Sequence, residues 1–170
     1  MSEEMTPGDR FHDPRAWGAS DLTGPHVWRT LDYRRTDWQP GSTTIEWQAT
    51  ADYCFPTAGG PVVHGGLVTA LLDSAMGGAC WTLLDNDQVF LTADLSVEFL
   101  RVSRPELLRA VGTVIRRTRR VMFCSAEMRS ADDRLLATSR CTQLVLPDSG
   151  PFGRHAAPDA TGAPPQDARG

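Results

Sequence analysis

The chain has 170 residues, 41% of them hydrophobic, and a formal net charge of −4. That length fits about one domain with a real core, and the acidic balance argues against nucleic acid or anionic lipid as a partner for the whole protein. All 17 basic residues are arginine, which excludes Schiff-base chemistry and a P-loop lysine.

In chain order, residues 1–40 hold scattered Pro, Gly and Asp with isolated aromatics (Phe11, Trp17, Trp28, Tyr33, Trp38) and little period. They read as an extension that lies on the domain, with a short strand or helical turn near Val27–Tyr33. Pro40-Gly41 is a turn signal. From Thr44 to Phe55, Ile45, Trp47, Ala49, Ala51, Tyr53 and Phe55 alternate with mostly polar neighbours, which predicts one strand with a buried face. Pro56 to Pro61 breaks it, and His64 to Leu84 follows as a helix that is apolar nearly all round. After a polar Asp85-Asn86-Asp87 connection, Val89 to Val102 alternates again. That period places Val89, Leu91, Ala93, Leu95, Val97 and Phe99 opposite Thr92, Asp94, Ser96 and Glu98. Leu107–Val121, Met122–Ser130 and Leu135–Leu146 are three further strands, the last two joined by a tight Ala131–Arg134 hairpin. The Pro-, Gly- and Ala-rich tail reads as disordered. The divisions are therefore 1–40 extension, 41–146 domain and 147–170 tail. One strand, one buried helix and four antiparallel strands make an α+β architecture, a sheet wrapped around one long central helix.

Several classes drop out. The chain has no G-x-G-x-x-G, no H-E-x-x-H and no internal repeat. Cys54, Cys80, Cys124 and Cys141 stand far apart without a C-x-x-C pair, so neither a metal site nor a disulfide framework is expected. No apolar run approaches the ~20 residues of a membrane helix. The acidic start, Met1-Ser2-Glu3-Glu4-Met5, lacks an apolar signal core, so a cytoplasmic protein without a membrane partner is expected.

Asp73 sits in the middle of the apolar helix. A charge there is expensive unless it is paired, hydrated or used. Burial raises the pKa of such a carboxyl and makes it a better base near neutral pH than a surface aspartate. Gly65 and Gly66 open the same helix, where backbone N–H groups point outward at the positive end of the helix dipole.

His64-Gly65-Gly66, then Leu71-Leu72-Asp73-Ser74-Ala75-Met76-Gly77 on one apolar helix, resembles the hotdog-fold acyl-CoA thioesterases of the PaaI type. The likeness spans about Thr43 to Leu146. It implies a hotdog fold, a homodimer or homotetramer (a dimer of dimers), and hydrolysis of acyl-CoA thioesters at a site between subunits. No cofactor is implied beyond the coenzyme A of the substrate. By that resemblance Asp73 activates water or attacks the thioester, the Gly65 amide polarises its carbonyl, and His64 begins the helix. Thr92, a weaker match, falls where some members carry a serine near the carboxylate, and Gly66 and Thr92 are candidate substrate contacts. Ala58 stands where many members carry an asparagine, and Pro61 where many carry a glycine.

Gly65 and Asp73 are eight residues apart on one helix, hence ~12 Å along its axis. One thioester carbon cannot contact both, since productive contact needs ~3 Å. If both act, they come from different chains related by a two-fold axis.

Ten arginines against four acids lie between Phe99 and Arg140. Arginine forks suit the phosphates of coenzyme A, so Arg116, Arg117, Arg119 and Arg120 form a candidate phosphate patch. A charged strand edge that resists aggregation is the competing reading. Nucleic-acid binding is not expected, because no aromatic stacking pattern accompanies the arginines. Trp47, Tyr53, Phe55 and Trp81 are candidate walls for an aryl or medium-chain acyl pocket. The alternative function is a non-catalytic binder of acyl-CoA or another acyl ligand on the same fold, which Ala58 and Pro61 favour. A hydratase on this fold is disfavoured, since His64 is followed by glycines rather than Phe-Pro.

Overall fold

The structure, a computed structural model, describes residues 26–85 and 87–148. The expectations for residues 1–25 and for the tail beyond Asp148 lie outside the described residues. In chain order come α1 (His26–Leu31), β1 (Tyr33–Gln39), β2 (Ser42–Gln48), a 3₁₀ turn (Ala51–Tyr53), β3 (Cys54–Phe55), β4 (Val62–Val63), α2 (Gly65–Trp81), β5 (Gln88–Phe99), β6 (Leu107–Arg117), β7 (Val121–Arg129) and β8 (Leu135–Pro147). Six strands form one antiparallel sheet in the order β1-β2-β6-β7-β8-β5, and β3 and β4 form a separate pair. The sheet packs around α2, the architecture expected from the sequence. Among the described residues no helix is long and apolar enough to cross a membrane.

The sheet begins before residue 41. Tyr33 and Trp28 are buried, and β1 pairs with β2 from Tyr33↔Trp47 to Gln39↔Ser42. The irregular period hid this strand because it lies at the sheet edge, where most of its residues face solvent. Gly41 supplies the turn between the two strands with φ of +80°, a conformation that costs glycine little. The strand expected to run to Phe55 stops at Gln48 instead. A 3₁₀ turn, closed by the Tyr53 N–H on the Thr50 carbonyl at 3.2 Å, folds Tyr53 back edge-on against Trp47 at 5.3 Å between ring centroids.

Leu71, Leu72, Ala75, Met76, Ala79 and Cys80 of α2 are fully buried. They face Ile45 and Trp47 of β2, Leu108 and Ala110 of β6, Met122 and Met128 of β7, and Leu136 and Ala137 of β8. Fully burying one such large apolar side chain is worth about 1.5–3 kcal/mol. The helix lies close to the sheet at β6, where the strand presents Ala110 and Gly112. At Gly112 of β6 an added Cβ would fall onto the Ala75 carbonyl and 2.6 Å from the Met76 nitrogen. Both neighbours are helix backbone and cannot swing away. Gly112→Ala is therefore expected to destabilise the protein by about 3 kcal/mol, read as a lower urea midpoint at unchanged slope. A wild-type midpoint would contradict this helix-on-strand contact.

Strand β5 departs from a plain alternation. Thr92 pairs with Gln143 and Asp94 with Thr142, so Ala93 is an extra residue in a bulge. The bulge reverses which face each side chain takes. Phe90 and Thr92 before it, and Leu95 and Val97 after it, all lie on the helix side. Thr92 thus faces the helix, not the side opposite the apolar row. The cause is β8, whose regular Ala137, Ser139, Cys141, Gln143, Val145 row is buried throughout and leaves β5 to absorb the mismatch.

Candidate active site

Asp73 is half-buried in the middle of α2. The Thr92 hydroxyl, delivered by the β5 bulge, donates to its Oδ1 at 3.1 Å. Behind Thr92, its cross-strand partner Gln143 places Oε1 3.0 Å from the same hydroxyl. Next to Asp73 on the helix, the Ser74 hydroxyl accepts from the indole Nε1 of Trp28 at 3.1 Å, which fixes α1 beside the carboxyl. Burial pushes the Asp73 carboxyl above its ordinary value, and the Thr92 hydrogen bond opposes that rise. Among the described residues no arginine forms an ion pair with it.

His64 is the N-cap of α2, in extended backbone, and its Nδ1 accepts the Gly66 N–H at 2.9 Å. Its ring also lies against Phe55, 4.9 Å between centroids. The cap explains Gly66: a Cβ there would stand 2.9 Å from the His64 ring. The Leu67 and Val68 N–H groups both go to the His64 carbonyl, at 2.9 and 3.3 Å. In the first turn only the Gly65 N–H is left without an acceptor among the described residues. Phe99, at the end of β5, lies over it: a Cβ on Gly65 would be 3.3 Å from the Phe99 ring. The helix start therefore offers one unspent donor under an aromatic lid, the type of group that stabilises an oxyanion.

Asp73 and Gly65 sit eight positions apart on the same helix, so within one chain they remain ~12 Å apart. A cavity of about 410 Å³ lined by Asp52, Tyr53, Cys54, Phe55, His64 and Leu67 opens beside the helix start. Tyr53 and Phe55 thus line a cavity, whereas Trp47 is 1% exposed and belongs to the core. Trp81 packs edge-on against Phe90 near the far end of the helix.

The arginine patch lies at that far end too. Arg117 pairs with Asp85 at 2.9 Å and donates to the Leu83 carbonyl and to Gln88. It therefore ties β6 to the segment after α2. Arg116, Arg119 and Arg120 are exposed around the β6–β7 turn. Among the described residues, no group of three or more His, Cys, Asp or Glu is placed to hold a metal.

Sequence reasoning missed Gln143 and Phe99. Gln143 carried a readable signal, as a polar residue in the buried phase of an otherwise apolar and small-residue strand. Phe99 was visible as an apolar strand residue, but nothing in the sequence aimed it at Gly65.

Residues 60–137 match the family model described as Thioesterase superfamily. No curated protein matches the chain. Among solved structures, a thioesterase family protein from Silicibacter pomeroyi is similar at 25% identity and a TM-score of 0.67, over 72% of this chain and 90% of that one. A mutant thioesterase from Pseudomonas aeruginosa is similar at 20% identity and a TM-score of 0.68, over 79% of this chain and 94% of that one. A thioesterase from Haemophilus influenzae is similar at 19% identity and a TM-score of 0.67, covering 74% and 86%. The chain has the hotdog fold, and its residues 60–137 are similar to the thioesterase superfamily.

Proposed function

We propose that the protein hydrolyses acyl-CoA thioesters, aryl or medium-chain, to the free acid and coenzyme A. The observation that carries this reading is the pairing of a desolvated helix carboxyl, Asp73, with an unspent amide, Gly65, at the helix start. Asp73 of one subunit takes a proton from water as the water oxygen attacks the thioester carbon. The developing oxyanion accepts the Gly65 N–H of the neighbouring subunit, a contact of a kind worth about 3–4 kcal/mol of barrier. Collapse expels the thiolate of coenzyme A, which takes the proton that Asp73 holds. The reaction needs no cofactor other than the coenzyme A within the substrate.

Strand β5 supports a two-fold assembly. It lies at the sheet edge, is 12 residues long, and is exposed along most of its second half. A long edge without a partner strand is a template for pairing with a second copy. A β5-to-β5 contact would bring Asp73 of one chain toward the helix start of the other, in a homodimer or a dimer of such dimers. The cavity at Tyr53 and Phe55 then takes the acyl group beside the Gly65 that holds the carbonyl. Arg116, Arg119 and Arg120 are the arginines left for the phosphates of coenzyme A, since Arg117 is engaged by Asp85. Four free thiols suit a reducing, cytoplasmic setting.

The test is thiol release from a panel of acyl- and aryl-CoA esters. Turnover of at least one ester supports the reading. A thermal shift with these esters but no thiol release from any of them would instead establish the non-catalytic binder, which Ala58 at the asparagine position favours.

A further inference from the structure

We infer that Gln143 is a positioning residue for Asp73: its side-chain amide, acting through the single proton of the Thr92 hydroxyl, sets whether that hydroxyl donates to the carboxyl group or accepts from it. The catalytic meaning of this relay rests on the hydrolase reading above; the hydrogen-bond chemistry does not.

Gln143 is fully buried in the middle of β8. Its Oε1 is 3.0 Å from Thr92 Oγ1, and its Nε2 donates to Cys141 Sγ at 3.2 Å. Thr92 Oγ1 is also 3.1 Å from Asp73 Oδ1. The hydroxyl thus faces two acceptors and has one proton to give. An ionised Asp73 and the Gln143 oxygen cannot both be satisfied by it.

Two arrangements satisfy every group. With Asp73 protonated, its O–H donates to Thr92, Thr92 donates to Gln143 Oε1, and Gln143 Nε2 donates to Cys141, which is the amide orientation seen. With Asp73 ionised, Thr92 donates to the carboxylate. A half-turn of the amide then presents Nε2 to Thr92 Oγ1 and turns Oε1 toward the Cys141 thiol. The oxygen and nitrogen of an amide are nearly the same size, so the half-turn displaces no neighbour. The Cys141 thiol keeps its proton, because its hydrogen bond with Cys124 and its burial both raise its pKa, and in this arrangement the proton turns from Cys124 to Gln143 Oε1.

Among the described residues Asp94 of β5 and Arg140 of β8 line a pocket with Cys124 and Cys141, and the titratable groups within the network itself are thiols. They are Cys141 on β8, then Cys124 on β7 and Cys80 on α2, whose sulfurs are 3.4 Å apart. From α1 the neighbour is the uncharged Trp28, through Ser74. Among the described residues neither an arginine nor a second carboxylate makes a hydrogen bond or ion pair with Asp73, so Thr92 is the side chain that answers its charge. A carboxyl that must gain a proton during attack and return it during collapse is served by a partner that satisfies both of its forms.

The test is a pH titration of the Asp73 side-chain carboxyl by carbon NMR in the intact protein. Thr92→Val removes the donor to the carboxylate and is expected to move the midpoint to higher pH. Gln143→Met removes the acceptor of the protonated form and the donor of the ionised form together, and is expected to move the midpoint less than Thr92→Val does. Gln143→Leu serves as a second apolar variant. In the wild type, the Gln143 side-chain amide nitrogen resonance is expected to titrate at the Asp73 midpoint, a reading that needs no variant to fold. A midpoint moved further by the Gln143 variants than by Thr92→Val, or a pH-independent Gln143 resonance, would each overturn the relay. A protein whose Gln143 resonance titrates with Asp73 but which releases no thiol keeps the relay and loses the hydrolase. One that turns over substrate with a pH-independent Gln143 resonance does the reverse.

Discussion

Asp73→Asn is expected to cut kcat/KM for thioester hydrolysis by about 10²–10⁴-fold while making the fold more stable at neutral pH. The first effect follows because an amide keeps the shape of the side chain but cannot take the proton of the attacking water. The second follows from linkage. Burial, opposed by the Thr92 hydrogen bond, holds the Asp73 carboxyl above its ordinary value in the fold. The unfolded chain therefore releases this proton at lower pH than the folded chain does. Between those two points the fold binds more protons than the unfolded state, and stability falls as pH rises. An asparagine escapes that loss. Thermal midpoints of wild type and variant should converge in acid and separate in the variant's favour toward neutrality. Full turnover by Asp73→Asn, or a wild type that gains on the variant as pH rises, would contradict the role given to this carboxyl.

Gly65→Pro is expected to lower kcat by about 10²–10³-fold, the cost of one missing oxyanion donor, with the helix intact. Proline is accommodated at the first helical position, where no intrahelical bond is lost. The preceding His64 has φ −60° and ψ 125°, the extended backbone that a following proline requires. The N–H removed is the one that the first turn leaves unspent. Either a proline or an alanine brings a Cβ to 3.3 Å from the Phe99 ring. Gly65→Ala retains the N–H and therefore serves as the control. Circular dichroism checks the helix in both variants. Equal losses of kcat in the two would assign the effect to the Phe99 contact and contradict the donor role.

The helix and the four strands after it were legible because their signals were local. Apolar residues run from Leu67 to Leu84, and β7, like β8 from Ala137 onward, alternates without interruption. The bulge at Ala93 was not legible, since both registers of β5 put apolar residues inside until the partner strand is specified. Reading Val89 through Phe99 as one period placed Thr92 on the wrong side of the sheet. The early end of β2 was hidden for a related reason. Ala51 and Tyr53 keep the strand period, and only the packing of Tyr53 on Trp47 turns the chain there. At the site, Asp73 and Gly65 stood out by chemistry that violates its surroundings: a carboxyl in an apolar helix and glycines at its start. Gln143 violates its surroundings too, but its meaning depends on Thr92 across the strand pair, a contact only the fold reveals.

The central claim is that each site takes its base and its oxyanion donor from different chains. It is tested most directly by mixing. Asp73→Ala and Gly65→Pro subunits, each inactive alone, are unfolded together in equal amounts and refolded. In a mixed dimer, Asp73 of the Gly65→Pro chain meets Gly65 of the Asp73→Ala chain, which restores one of two sites. Random pairing makes half of the dimers mixed, so the mixture should recover roughly a quarter of wild-type activity. Activity no higher than that of the separate variants would mean that no working pair forms across chains, and the shared site would be wrong.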